Sequence, residues 1–106
     1  MKNFFGSIFI NRDKLREAGI EYPIKVEYYK ITKEEIISRN RQIYGIQVIK
    51  TEYKEKIGVE QSKIESITNS EKVIDKILQQ LKEYEVTPIG LEDAINELEE
   101  KNNFAC

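Results

Sequence analysis

From residue 24 to residue 31 apolar and polar positions alternate. Ile24, Val26 and Tyr28 fall on one side of an extended chain, and Lys25, Glu27 and Tyr29 on the other. A period of two is the mark of a strand with one buried and one wetted face. The pattern returns over residues 44–53, where Tyr44, Ile46 and Val48 share a side. Gly45 lies inside that run and predicts a bulge or the close approach of another backbone. Lys54-Glu55-Lys56-Ile57-Gly58 predicts a hairpin connection into a third strand over residues 59–67. The stretch 33–43 extends the first strand through Ile36 and Ile37, then turns near Arg39-Asn40-Arg41, since asparagine tolerates the left-handed conformation. Residues 1–21 have no fixed place in this scheme. Within them, residues 4–10 have strand character and residues 12–18 suit a helical turn stopped by Gly19.

After residue 68 the period changes. Val73, Ile74, Ile77, Leu78, Leu81 and Tyr84 recur at helical spacing and form one stripe. Thr68 with Glu71 fits a capping box, in which two side chains satisfy the free N–H groups of a helix start. The helix is expected to end near Glu85. Thr87-Pro88 restarts the chain, because proline suits a first turn and breaks a helix interior. Leu91, Ala94, Ile95 and Leu98 make a second stripe that ends near Lys101, leaving 102–106 as a frayed tail. Neither stripe is stable in water, so both helices must pack on the sheet or on each other. The predicted fold is α+β: an antiparallel meander of three to four strands over residues 22–67, then two amphipathic helices over 68–101 packed on one face.

Length supports one domain over 1–106, since 106 residues match the usual domain size and no linker, repeat or low-complexity tract divides them. Isoleucine appears 17 times against five leucines and five valines, which favours pleated surfaces. The net charge is −2, but it is unevenly placed: +3 up to Thr68 and −5 from Asn69 onward. The helical third is the acidic part. No apolar run approaches the roughly 18 residues of a membrane span, and the first residues are too short in apolar length for a signal peptide. Cys106 is the single cysteine, so neither an intrachain disulfide nor a thiolate metal cluster can form. A cytoplasmic protein without cofactor, metal or membrane contact is the expectation.

The chain contains no histidine. General acid–base work would therefore fall to a carboxylate, lysine or tyrosine with a strongly shifted pKa. Glu34, Glu35, Glu92 and Asp93 sit in charged surroundings, and no spacing singles out a working pair. The serines lack a histidine partner and a nucleophile elbow, and no glycine spacing fits a phosphate loop. These features argue against an enzyme and for an interaction role, with a protein partner or a second copy. The candidate partner-binding residues are Glu92, Asp93, Glu97 and Glu99, opposite the apolar stripe of the last helix, where an acidic face can steer a basic partner. An exposed sheet edge offers a second route. The alternative is a nucleic-acid-associated factor using Tyr29, Lys33, Arg39 and Arg41, with Tyr28, Tyr44 and Lys30 nearby, since sheets bind single strands by stacking bases within a positive groove.

The Tyr44-Gly45-Ile46 strand, the lysine- and glutamate-rich hairpin, the amphipathic helix and the block Val86-Thr87-Pro88-Ile89 followed by Leu91, Asp93 and Ile95 together resemble a family of small proteins from clostridial, spore-forming bacteria. The resemblance implies a bacterial cytosolic origin and brings no activity, cofactor or catalytic residue with it.

Overall fold

Strand pairing follows the alternation closely in the computed structural model, which describes residues 1–10, 12–34 and 41–102. β1 (Lys2–Phe9), β2 (Ile24–Glu34), β3 (Gln42–Glu52) and β4 (Gly58–Thr68) form one antiparallel sheet in chain order. The sheet is open, with β1 and β4 at its edges. The N-terminal segment thus belongs to the sheet, which extends beyond the residue 22 boundary read from the pattern. The expected strand extension through Ile36 and Ile37, the turn at Arg39-Asn40 and Cys106 lie outside the described residues.

Register decides which side chains share a face. Val26 stands opposite Lys50 and Tyr28 opposite Val48, so Ile24, Val26, Tyr28, Ile46 and Val48 point to one side. α2 (Glu71–Glu83) and α3 (Leu91–Asn102) cover that side, with a 3-10 turn at Pro88–Gly90 between them. Ile74, Ile77, Leu78 and Leu81 of α2 and Leu91, Ile95 and Leu98 of α3 join the strand residues in one core. Burying aliphatic side chains at about 25 cal/mol per Å2 is the main force holding the layers together. Tyr84, expected at the end of the α2 stripe, is instead 73% exposed. It is the C-cap residue, its N–H still bonded to the Gln80 carbonyl, and it falls at the flank of the stripe centred on Ile74, Ile77, Leu78 and Leu81.

Gly45 is where the sheet tightens. Tyr44 faces Thr68 and Ile46 faces Ile64, so one residue of β3 opposes three of β4. A Cβ on Gly45 would come within 2.2 Å of the Ile64 carbonyl oxygen and 2.5 Å of that of Glu65. Only glycine permits that approach. A second irregularity sits in β1, between Phe4 and Gly6.

The start of α2 differs from the expected capping box. Ser70, in an extended conformation, accepts a bond from the Val73 N–H at 3.3 Å, and Thr68 Oγ1 accepts from the Ser70 N–H at 3.2 Å. The helix begins two residues later than the Thr68–Glu71 spacing implied, which frees Glu71 to meet Lys30 Nζ at 3.0 Å. α1 (Arg12–Glu17) ends as expected at Gly19, whose φ of +77° belongs to the left-handed region. Ile20 N–H then reaches back to the Leu15 carbonyl at 2.7 Å, closing the turn. Glu85 plays the same part after α2 with φ +54°, and Val86 N–H bonds the Leu81 carbonyl at 2.9 Å.

Candidate interaction surfaces

The two faces of the sheet have different fates. On the face away from the helices, alternation and register bring together Phe4 and Phe9 of β1, Lys25, Glu27, Tyr29, Ile31 and Lys33 of β2, Gln47 and Ile49 of β3, and Val59, Gln61 and Lys63 of β4. No helix lies over these residues among the described ones. Phe4, Phe9 and Val59 are 57%, 66% and 61% exposed, respectively. Phe4 and Phe9 stand at the β1 edge and Val59 at the β4 edge, so both margins of this face present large apolar side chains to water.

Polar side chains on this face hold one another. Gln47 Nε2 donates to Gln61 Oε1 at 2.7 Å across β3 and β4. Glu65 meets Lys33 at 3.4 Å and Lys63 at 3.3 Å, and these two ammonium groups hold its carboxyl below the usual range. Tyr29 packs edge-on against Phe4 with ring centroids 5.6 Å apart, and Lys2 Nζ stands 4.7 Å from the Tyr29 centroid. The Tyr29 hydroxyl donates to Glu27 at 2.9 Å, and that bond raises its pKa. Lys25 sits over Phe9 at 6.0 Å. Cations over aromatic rings are favourable by roughly 0.5–1 kcal/mol at exposed sites.

The candidate nucleic-acid residues are divided by this geometry. Tyr29 and Lys33 are on the open face, and Arg41 is exposed just before β3. Arg39 lies outside the described residues. Tyr28 and Tyr44 are buried in the core, on the opposite side. Burial raises the Tyr28 hydroxyl pKa, with the charge of Glu85 adding to it, and the hydroxyl donates to the Val86 carbonyl at 2.7 Å. Lys30 also faces the helices. Burial opposes its charge, but hydrogen bonds to Asp75 at 2.9 Å and Glu71 at 3.0 Å outweigh it and hold the ammonium above its ordinary range.

The candidate acidic residues lie on α3. Glu92, Asp93 and Glu97 are exposed, whereas Glu99 is half-buried. Glu92 and Glu99 line a groove of about 400 Å3 between α3 and β4, together with Asn96. That groove was not legible in the sequence, because it depends on how α3 lies against a strand some thirty residues earlier. A second hollow, of about 590 Å3, lies beside α1 and is lined by Ile10, Leu15, Ile20 and Tyr22, with Arg16 and Glu21. Tyr22 closes one side by donating to Glu52 at 2.6 Å, which holds the Glu52 carboxyl down. Among the described residues no group of three or more acidic, histidine or cysteine side chains could hold a metal ion. Among the described residues no helix is long and apolar enough to cross a membrane.

An open four-stranded antiparallel meander with helices layered on one side defines an α+β protein whose distinguishing surface is a bare, aromatic-bearing sheet face. The chain belongs to DUF6514, a family of unknown function whose model matches residues 7–101. No curated protein and no solved structure matches it at a significant level.

Proposed function

We propose that this is a non-enzymatic interaction protein of the bacterial cytoplasm, as its likeness to small clostridial proteins implies, and that it binds a protein partner or a second copy through the uncovered sheet face. The observation that carries this reading is the placement of Phe4, Phe9 and Val59 on the side without helices. Exposed apolar side chains that become buried on association supply much of the energy in protein interfaces. Light scattering on the purified chain, together with capture from native extract, tests it. A defined oligomer or a stoichiometric partner is expected, lost on Phe4→Ser with Phe9→Ser. A clean monomer without a partner would overturn it.

A second reading has its own support: Lys2, Lys25, Lys33 and Lys63 surround the exposed rings of the same face. Single-stranded nucleic acid binds such surfaces by stacking and by phosphate contact. Glu65, engaged with both Lys33 and Lys63, reduces the positive potential available. Titration with a labelled oligonucleotide distinguishes the two. This reading requires binding that weakens steeply with salt and on Arg39→Ala with Arg41→Ala.

A further inference from the structure

Among the described residues β4 ends the sheet, and over residues 58–66 no strand pairs with its outer row of backbone N–H and C=O groups. An edge of this kind accepts an extended chain by continuing the hydrogen-bond ladder. Beside the edge, on the helix-covered side, runs the groove between β4 and α3. Ile64 lies beneath it with the buried Ile67 and Ile95, Lys63 and Ser66 line it on β4, and Glu92, Asn96 and Glu99 form its wall on α3. Among the described residues Glu92 and Glu99 have no ion pair, while Lys63 at the rim is engaged by Glu65. An open strand edge, a groove with a largely polar lining and uncompensated negative charge therefore coincide.

The geometry points to this groove as a docking site for an extended segment of another protein that carries lysine or arginine at alternate positions. Added to β4, such a segment turns every second side chain toward α3. Side chains on one face of a strand repeat at about 6.6–6.8 Å. Glu92 and Glu99 lie about 10 Å apart along the helix axis. Bases two or four residues apart therefore reach both acids.

A second copy of this chain is a poor occupant. Antiparallel addition of its β4 keeps the faces matched, and the helix-side residues of β4 are Glu60, Ser62 and Ile64, as the pairing of Glu60 with Lys50 and of Ile64 with Ile46 requires. That arrangement adds Glu60 and no base to the helix-covered side beside α3. Its β1 would offer Gly6 and Ile8, which carry no base.

This site is separate from the open face, so either can fail alone. The probe is an acetylated nonapeptide alternating lysine and valine, compared with the same peptide carrying glutamate for lysine and with one N-methylated at alternate residues. Binding is followed by amide chemical shifts of the full chain. The lysine peptide should perturb amides of residues 58–68 and bind at least about tenfold more tightly than either control. Glu92→Lys with Glu99→Lys should weaken it about tenfold while the circular dichroism spectrum is kept. Phe4→Ser with Phe9→Ser should leave it unchanged. Absence of binding, equal binding of the glutamate peptide, perturbation centred on β1 and β2, or occupation of β4 by a second copy would each overturn the assignment; the peptide comparison stands even if the double charge reversal fails to fold.

Discussion

The two faces of one sheet are built from much the same isoleucine-rich alphabet, yet one is sealed and the other bare. On the helix side Val26, Tyr28, Ile46 and Val48 have no exposed surface at all. On the other side Tyr29 and Ile49 are only half covered, and Phe4, Phe9 and Val59 stand largely in water. Interleaved polar residues mark the difference. Lys25, Glu27 and Gln61 wet the open face around the buried Ile31 and Gln47, whereas the covered face carries its charges at its margins, where Lys30 meets Asp75 and Lys50 meets Glu60. Alternation alone tells which residues share a side. Which side is roofed follows from where the helical stripes find continuous aliphatic surface.

Substitutions can break this contrast directly. Leu81→Ala, in the sealed layer, should lower stability by about 2–5 kcal/mol in a denaturant titration, because it removes buried methyl groups and leaves a cavity. Gly45→Ala should destabilise by about 1–3 kcal/mol or somewhat more, since the new methyl group meets main-chain oxygens that cannot swing away. Tyr28→Phe keeps the packing but leaves the Val86 carbonyl without its donor, for a loss of about 1 kcal/mol.

The pH response should be shallower and is carried partly by the open face. Glu65 is held below its ordinary pKa by Lys63 and Lys33, and Glu52 by the hydrogen bond from Tyr22. A carboxyl whose folded pKa lies below its unfolded one contributes fully near neutrality and loses that contribution as the pH falls from about 5 downward. The urea midpoint should accordingly be lower at acid pH than at neutrality, and Lys33→Met should reduce the difference. Smallest of all, Phe9→Ser should change stability by no more than about 0.5 kcal/mol. A large loss there would mean that the open face is structural, and the contrast would collapse.

Local signals along the chain marked most of the elements. Strict alternation placed β2 and β3, helical spacing placed α2 and α3, and Gly19 and Gly45 each marked a backbone demand that other residues meet poorly. What escaped was set by distant contacts. Thr68 and Glu71 have capping-box spacing, but Ser70 is better placed to cap once Thr68 is drawn into its pairing with Tyr44. β1 joins the sheet only because its chain meets β2 in register, with an irregularity at Phe5 that blurs its alternation. Of the acidic candidates, Glu92 and Glu99 acquire a shared setting beside β4, which no spacing along α3 could announce.

The open face can be interrogated most directly by photo-crosslinking in the native cell. A photoreactive phenylalanine analogue would replace Phe9 in one variant and Tyr84 in another, two exposed rings on opposite sides of the sheet. A discrete adduct at position 9, weak or absent at position 84, is the expected result. No adduct at position 9, or an adduct at position 84 alone, would contradict the assignment of the bare face as the working surface.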